Sequence, residues 1–281
     1  MLMAEKKGLS LHIGVNAVDP GHYNGWAGEL DSCENDAITM ERIASECGYQ
    51  TKLLLTRDAT KQNAIDTISQ YASELSAEDI FLFTFSGHGG RVIHVDMQNP
   101  EFELLDETLC FYDEMLIDDE LKSLYWPLFQ KNVRIQCVFD SCNSGGMYKY
   151  RGGVVRKEAD PWNTPKHAPM PVIRETYEKN KGLYQKITQK IEKMSKEKKE
   201  IQAIVGILAA CLEHQVAFAD HDHSLFTEYL LKTWEGREFG NLDEFCAEII
   251  NSMPDHRQTP NLQLIGNASE DLLRKRKPFE I

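Results

Sequence analysis

VRIQCVFDSCNSGG, residues 133–146, is the stretch that decides the fold. Its apolar first half is rich in β-branched residues, stops abruptly at Asp140-Ser141-Cys142 and is soon followed by two glycines. A short apolar run of this kind is typical of a strand that is buried on both faces of a parallel sheet. The stretch therefore predicts a central strand whose carboxyl end delivers a thiol into a loop.

A second stretch has the same pattern. The apolar residues 80–85 lead directly into SGHGG, residues 86–90, so His88 also follows the end of a strand and lies among glycines. In an open parallel sheet, ligands bind outside the carboxyl ends of the strands, and neighbouring strands lie only about 4.8 Å apart. If these two strands are neighbours, His88 and Cys142 meet.

The chain of 281 residues suits one α/β domain with a long insertion. Strand and helix patterns alternate as βαβαβ over residues 9–85, which favours a parallel sheet with right-handed crossovers. We expect strands at 9–16, 51–55, 80–85, 133–139, 203–210 and 261–266, and helices at 37–47, 60–75, 119–129, 224–234 and 242–253.

Residues 147–200 form the predicted insertion, between a first part of the domain at 1–146 and a last part at 201–281. Glycines and four prolines make 147–171 typical of a loop or a partly disordered segment. The stretch 174–199 is helix-prone and carries nine basic and four acidic residues in an otherwise acidic chain. Two interpretations stay open: a basic helical segment that lies against the acidic remainder, or a solvated helical hairpin.

The composition excludes some classes of protein. There are 44 acidic and 31 basic residues, so the formal net charge is −13. This balance argues against a dedicated nucleic-acid-binding protein and suits a protein that receives cationic ligands. Residues 1–16 have no apolar core long enough for a signal peptide, and no run approaches a membrane span. We expect a cytoplasmic protein that binds neither nucleic acid nor membranes.

The seven cysteines include no CxxC pair and show no regular spacing. An odd number without such spacing argues against a disulfide framework and against a closed zinc site. Most of them are predicted to fill the core, as Cys137 does inside a strand. Cys142 differs, because it lies past a strand end among glycines.

Cys142 and His88 together suit nucleophilic catalysis. A cysteine attacks as its thiolate, and a nearby imidazole favours that thiolate and then protonates the leaving amine. The neighbouring glycines let a substrate approach the backbone closely, and the N–H groups of Cys142 and Gly89 are predicted to form an oxyanion hole. A lone histidine in a glycine loop is usually a turn residue, but its combination with a cysteine at a matching strand end favours catalysis.

The sequence resembles the caspase-like cysteine peptidases, in particular the metacaspases and their bacterial relatives. The resemblance implies a three-layer α/β sandwich with a mainly parallel six-stranded central sheet and helices on both faces. It also implies that His88 and Cys142 are the catalytic dyad of a cysteine endopeptidase. The matching motifs are LSLHIGVN (9–16), ENDA (34–37), SGHGG (86–90), DDEL (118–121), DSCNSGG (140–146), ACLEHQ (210–215) and QTPNLQLIG (258–266).

The resemblance also implies a substrate preference. Metacaspases hold arginine or lysine before the cut bond with acids that match Asp36 and Asp140, and Ser86 and Glu213 are further pocket candidates. A partly buried pair of carboxylates attracts a guanidinium or ammonium group and repels aspartate. We therefore predict protein or peptide substrates with arginine or lysine at the cleavage site. The alternative roles are structural: Asp140 as a capping or loop-bracing carboxylate, and Asp36 as an ordinary acid of a first helical turn.

The resemblance suggests one metal ion, calcium. Many metacaspases bind it with acids that include the pair matching Asp118 and Asp119, and hard carboxylates suit Ca²⁺. The family has another acid shortly after the catalytic cysteine, whereas residues 147–151 here are MYKYR, and Asn143 stands where the family has histidine. We predict that catalysis requires no cofactor; the alternative is a calcium site that includes Asp118 and Asp119.

The insertion suggests regulation. It offers many arginine and lysine residues at the place where caspase-like chains separate their large and small parts. We hypothesise that it covers the cleft or is cut by the enzyme itself, with an activating or regulatory protein as a further partner. Two other classes of function stay open: a catalytically silent caspase-fold scaffold that binds partners, and a cysteine acyltransferase or esterase.

Overall fold

A computed structural model describes residues 6–95, 103–142, 164–197, 199–212, 215–219, 222–237, 239–253, 258–265 and 271–281. The strands in these ranges are β1 (Gly8–Gly14), β2 (Gln50–Leu55), β3 (Ile80–Ser86), β4 (Gly89–Val95), β5 (Glu103–Cys110), β6 (Met115–Ile117), β7 (Arg134–Asp140), β8 (Thr164–Pro165), β9 (Ile204–Ala209), β10 (Phe218–Ala219) and β11 (Asn261–Ile265).

Helices connect most of these strands. None of those in the described ranges combines the length and the apolar character that a membrane span requires. They are α1 (Cys33–Glu46), α2 (Lys61–Glu74), α3 (Asp118–Glu120), α4 (Met170–Lys179), α5 (Lys181–Lys196), α6 (Leu225–Gly236), α7 (Leu242–Ser252) and α8 (Asp271–Arg274).

The central sheet has six strands in the order β11-β9-β7-β3-β1-β2. Its neighbouring strands are parallel except for β9 and β11, which pair in antiparallel. Strands β3 and β7 are direct neighbours, and Ser86 lies opposite Asp140 in their register. The predicted sheet is therefore confirmed, and the two strand ends that precede His88 and Cys142 lie side by side.

Two hydrophobic cores cover the two faces of this sheet, because successive side chains of a strand point to opposite faces. In β3, Phe81 and Phe83 belong to one core, and Ile80 and Leu82 belong to the other. The first core includes side chains of α2, and the second includes side chains of α1, α6 and α7. With both faces covered, β1, β3 and β7 are buried along their whole length. The sandwich with helices on both faces is confirmed.

The helix predicted at 119–129 is irregular. After α3 the chain forms a π-helical turn at Leu121–Tyr125 and a 3₁₀ turn at Trp126–Leu128. Pro127 lies inside the last turn, and proline lacks the N–H group that a continuing α-helix needs. The buried ring of Trp126, which packs beside the ring of Phe83, fixes this segment on the core instead.

Helices α4 and α5 correspond to the basic stretch of the insertion, and they pack against the rest of the chain. Tyr184 of α5 is fully buried. Its hydroxyl lies 2.8 Å from Nε2 of His22 and accepts a hydrogen bond from the N–H of Met115 at 3.2 Å. Lys179 also donates to the carbonyl of Gly21 at 2.6 Å. The interpretation of a segment that lies against the remainder is confirmed for these helices.

The prediction of a loop at 147–171 is wrong for its last part. Strand β8 pairs in antiparallel with β10, and Lys166 and Ala168, which follow β8, are fully buried. An extended segment that is held by backbone pairing needs no hydrophobic periodicity, so composition alone did not reveal it. Residues 147–163 lie outside the described residues.

Candidate active site

The positions of His88 and Cys142 follow directly from the pairing of β3 with β7. The N–H of Gly87 donates to the carbonyl of Asp140 at 3.3 Å, so the two loops leave the sheet together. The carbonyl of His88 accepts from the N–H of Cys110 at 2.9 Å, which fixes the histidine at the start of the β4–β5 hairpin. Both His88 and Cys142 are buried.

The imidazole of His88 is held in one tautomer. Its Nε2 lies 3.0 Å from the carbonyl oxygen of Gly28, and a carbonyl only accepts, so Nε2 carries the proton. Nδ1 therefore presents a lone pair, and it has no hydrogen-bond partner in the described part of the chain. Trp26 covers the ring at a centroid distance of 4.8 Å. Burial lowers the pKa of His88 to about 3, so the ring is neutral at physiological pH.

The thiol of Cys142 contacts the peptide group of Ala217. The N–H of Ala217 donates to Sγ at 2.9 Å, and the thiol faces the carbonyl of the same residue at 3.3 Å. Burial, and next the neighbouring thiol of Cys211, raise the pKa of Cys142 well above its ordinary value. Cys142 is therefore a protonated thiol at neutral pH.

The predicted pocket residues Asp36, Asp140 and Ser86 lie together, and the side chain of Lys166 lies among them. Its ammonium nitrogen Nζ is 2.9 Å from Oδ1 of Asp140 and 3.5 Å from Oδ2 of Asp36. It also donates to Oγ of Ser86 and Oγ of Ser224, both at 2.7 Å. The three hydrogen bonds of the ammonium group thus go to Ser86, Ser224 and Oδ2 of Asp36, and Asp140 adds a close ion pair. We call the set Asp36, Asp140, Ser86 and Ser224 the lysine pocket.

The lysine pocket is closed to solvent, and it holds two carboxyl groups around one ammonium group. The side chain of Lys166 is 0% exposed, and those of Asp36 and Asp140 are 1% and 3% exposed. Burial alone favours the neutral amine, but the carboxylate of Asp140 leads the contributions that raise the pKa of Lys166 above its ordinary value. The buried lysine is therefore a charged ammonium that is held by carboxylates.

Helix α6 supplies the part of the lysine pocket that sequence analysis missed. Ser224 precedes the helix, and its N–H donates to Oδ1 of Asp36 at 3.0 Å. The hydroxyl of Thr227 donates to Oδ2 of Asp140 at 2.7 Å. In the sequence, Ser224 had only the signal of a helix cap, and nothing there related it to a pocket residue far away in the chain.

The backbone of Lys166 lies extended along the strand ends. Its N–H donates to the carbonyl of Ala217 at 2.9 Å. Its carbonyl oxygen accepts from the N–H groups of Gly89 at 3.1 Å and Cys142 at 3.2 Å. Further along, the N–H of Ala168 donates to the carbonyl of Gly89 at 2.9 Å. The two N–H groups predicted for an oxyanion hole thus converge on the carbonyl of one buried peptide bond.

A cavity of about 470 Å³ adjoins this peptide bond on the side of the histidine. Its lining includes His88, Trp26, Gly28, Pro165 and His167. The imidazole and the residue that follows Lys166 therefore face the same space.

The remaining predicted residues lie elsewhere. Glu213 is outside the described residues. Asp118 and Asp119 belong to α3, where the ammonium of Lys122 pairs with Asp118 and lies 3.8 Å from Asp119. In the described ranges, no group of three or more His, Cys, Asp or Glu side chains is arranged to hold a metal ion.

The family of the chain follows from comparison with known proteins. The family model of the caspase domain, Peptidase C14, matches residues 9–268. The chain therefore belongs to the caspase-domain family of peptidases, and the resemblance drawn from its motifs is confirmed.

Individual relatives are metacaspases. Metacaspase-1 of Schizosaccharomyces pombe is 30% identical over 154 residues, which are 50% of this chain and 34% of that protein. Metacaspase-1 of Botryotinia fuckeliana is 32% identical over 153 residues, which are 50% of this chain and 35% of that protein. The chain spans about a third of the length of these curated relatives.

Solved structures extend the similarity over nearly the whole chain. Protein GSU0716 of Geobacter sulfurreducens is 36% identical with a TM-score of 0.83, and the match covers 96% of this chain and 97% of that one. Caspase-1 of Spodoptera frugiperda has a TM-score of 0.52 at 11% identity, with coverage of 92% and 88%. At that identity the similarity is one of fold.

The close approach of Gly89 to Cys142 gives a first prediction. A Cβ at Gly89 would lie 2.0 Å from the carbonyl oxygen of Cys142, so the backbone must move. We expect Gly89→Ala to lower the free energy of unfolding in urea by about 1–3 kcal/mol. Gly182→Ala is the matched control: a Cβ there meets nothing within 4 Å, and we expect unchanged or slightly higher stability. Equal stability of the two variants would contradict the crowding of Gly89.

The raised pKa of Cys142 gives a second prediction. A raised pKa moves thiolate formation to higher pH, so iodoacetamide should label Cys142 slowly at pH 7 and faster as the pH rises. Peptide mapping by mass spectrometry follows the label. The control is the same chain in guanidinium chloride, where the thiol returns to an ordinary pKa of about 8.5. Equally fast labelling at pH 7 in the folded and unfolded chains would show that folding does not raise the pKa of Cys142.

Proposed function

We propose that the protein is a cysteine endopeptidase that uses a dyad of Cys142 and His88 and cuts after lysine or arginine. The observation that carries this proposal is the position of Lys166. Its ammonium group fills the lysine pocket, while its carbonyl oxygen accepts hydrogen bonds from the N–H groups of Gly89 and Cys142. A peptide bond in that position is placed as a substrate of a cysteine peptidase requires.

The chemistry assigns one task to each group. Nδ1 of His88 accepts the proton of Cys142, and Sγ attacks the substrate carbonyl carbon. The N–H groups of Gly89 and Cys142 bind the oxygen that becomes negative in the tetrahedral intermediate. His88 then gives its proton to the leaving amine, and a water molecule, activated by the same imidazole, hydrolyses the thioester. The bond from Nε2 to the carbonyl of Gly28 keeps Nδ1 available as the base.

The charges of the lysine pocket support the preference for basic residues. Two buried carboxylates attract a cationic side chain and repel an aspartate. Both hydroxyls near Nζ are oriented by Asp36, because Ser86 and Ser224 donate their protons to its Oδ2. Their lone pairs are therefore left for the ammonium of the substrate, or for the guanidinium of an arginine.

The described chain is a resting form under this proposal. The thiol of Cys142 contacts Ala217 instead of the imidazole, and Nδ1 of His88 has no partner among the described residues. Lys166 also blocks the lysine pocket against any other substrate. We propose that the insertion to which Lys166 belongs regulates the enzyme, and that activation, spontaneous or through a partner protein, must move the thiol toward Nδ1.

We propose that the reaction itself needs no cofactor, since thiol, imidazole and backbone N–H groups supply its chemistry. Calcium at Asp118 and Asp119 is the alternative, and it would have to displace Lys122 from both acids. Assays with calcium and with a chelator separate the two.

Peptide hydrolysis tests the proposed function. We expect the full-length chain to hydrolyse fluorogenic peptides that end in lysine or arginine and to leave matched aspartate peptides intact, because only a cation satisfies the buried acids. Cys142→Ala should abolish hydrolysis. Cleavage that survives in Cys142→Ala, or equal cleavage after aspartate, would contradict the assignment. A chain that is inactive with every peptide, in calcium and in chelator, and stays inactive as Lys166→Ala, which empties the lysine pocket, would favour the scaffold.

Ser224 gives a prediction about specificity. Ser224→Ala removes one of the close acceptors of Nζ, and a hydrogen bond to a charged group is worth about 1.5–3 kcal/mol. We expect kcat/KM for lysyl peptides to fall about 10-fold or more. Ser73→Ala, on the exposed face of α2, is the matched control and should leave kcat/KM unchanged. An unchanged value in Ser224→Ala would exclude Ser224 from the pocket.

A further inference from the structure

We infer that the cleft selects its substrates by the second residue after the cut bond as well as by the basic residue before it. Gly89 binds the backbone N–H of that second residue, and an enclosed site accepts only a small side chain there. The inference rests on the proposed function, since it concerns the same cleft. It deepens that function by naming the substrates: extended segments in which lysine or arginine is followed, two positions later, by alanine or glycine and never by proline.

Residues 164–169 occupy the cleft in the way that a substrate strand does. Before Lys166, β8 pairs in antiparallel with β10, and the N–H of Lys166 donates to the carbonyl of Ala217. After Lys166, His167 pairs with Gly89 through an isolated parallel bridge. Sheet edges bind extended peptides by backbone pairing of this kind. The place of each residue in 164–169 therefore indicates where the corresponding residue of a substrate lies.

Gly89 uses both of its backbone groups on this strand. Its N–H donates to the carbonyl of Lys166 at 3.1 Å, and its carbonyl accepts from the N–H of Ala168 at 2.9 Å. The first hydrogen bond involves the residue before the cut bond, and the second involves the second residue after it. A substrate whose second residue has no N–H group therefore loses one of the two bonds, as every proline does.

The side chains of this strand alternate between two environments, because successive residues of an extended chain point to opposite sides. Those of Lys166 and Ala168 are fully buried. The alternate residues instead line the open cavity of about 470 Å³ beside the histidine: Pro165, His167 and Pro169. Of the residues of a substrate strand, the one before the cut bond and the second one after it are therefore enclosed.

The surroundings of Ala168 are closely packed. Its methyl group belongs to the first hydrophobic core, together with the buried side chain of Ile173 in α4. A Cβ on Gly90, the residue after the one that binds Ala168, would lie 2.8 Å from Cδ1 of Ile173. This wall of the cleft therefore has little free space, and a close-packed site accepts extra methylene groups only at a cost.

A substrate can replace residues 164–168 while helix α4 stays in place. Two contacts hold α4 on the loop before α1. Asn24 donates to a carboxylate oxygen of Glu175 at 2.7 Å, and Lys179 donates to the carbonyl of Gly21 at 2.6 Å. The part of the core that encloses Ala168 is therefore present for the next strand that enters the cleft.

Internally quenched peptides test the inference with the full-length chain. The parent peptide carries Thr-Pro-Lys-His-Ala-Pro, the sequence of residues 164–169, between a fluorophore and a quencher. In three variants the alanine is replaced by proline, by leucine or by L-lactic acid. Lactic acid puts an ester oxygen in place of the N–H group and leaves the methyl group unchanged. Mass spectrometry of the products verifies that the cut follows lysine.

We expect kcat/KM to fall about 10-fold with lactic acid, because the carbonyl of Gly89 then has no N–H group to bind. Leucine should lower it about 10-fold or more, because the enclosed site has to be forced open. Proline should lower it at least as much as lactic acid. The control peptide has leucine at the position of Pro169, which is exposed, and should be cut like the parent.

The outcomes separate this inference from the proposed function. If the parent is cut after lysine and the three variants are cut equally well, the inference is overturned and the peptidase stands. An unchanged kcat/KM with lactic acid would overturn the role of Gly89, and an unchanged value with leucine would overturn the enclosed site. If neither the original chain nor Lys166→Ala cuts any of the peptides, the proposed function is overturned and this inference with it.

Discussion

The pairing register of β3 with β7 is the constraint on which the site depends. With Ser86 opposite Asp140, the two loops that follow carry His88 and Cys142 away from the sheet at the same height. A shift of one residue would turn every side chain of a strand to the opposite face, and both faces here are packed with hydrophobic side chains. Packing in the two hydrophobic cores therefore fixes the register, and the register fixes the positions of His88 and Cys142. This explains how a site of polar and charged groups lies at the end of strands that are buried along their whole length.

Burial has opposite effects on the two parts of this site. In the lysine pocket, a low dielectric strengthens the attraction between the ammonium of Lys166 and the carboxylates of Asp36 and Asp140, so Lys166 stays charged although it is buried. At the dyad, no such partner is present among the described residues, and burial keeps the thiol of Cys142 and the imidazole of His88 neutral. The same enclosed environment thus keeps Lys166 charged and keeps Cys142 and His88 neutral. Under the proposed function, a reactive form requires both new contacts for Cys142 and the departure of Lys166 from the lysine pocket.

Much of the fold and part of the site could be read from local sequence patterns. Apolar runs that end in SGHGG and DSC predicted two buried strands with chemistry at their carboxyl ends, and their pairing brings Ser86 beside Asp140. Asp36 reaches the same place from the first turn of α1. Ser224 and Lys166 were not predicted, because a serine before a helix and one lysine among many carry no local signal of their role. Both reach the lysine pocket through long-range packing, which follows from the whole fold and from no short motif. The irregular helix from Leu121 to Leu128 was missed for a similar reason, since the contact between the buried rings of Trp126 and Phe83 is a long-range one.

The lysine pocket takes its residues from both ends of the chain. Asp36, Ser86 and Asp140 come early, whereas Ser224 directly precedes α6; Thr227, which donates to Asp140, lies in α6, and Ala217 comes before both. A nascent chain that has been made as far as Cys142 already contains the thiol and the imidazole, yet it lacks α6 and the peptide group of Ala217. The carboxylates of Asp36 and Asp140 are therefore without Ser224 and Thr227, their partners in the folded chain, until residues 217–227 have been made. The order of residues along the chain thus delays the assembly of the pocket beyond the synthesis of the thiol and the imidazole.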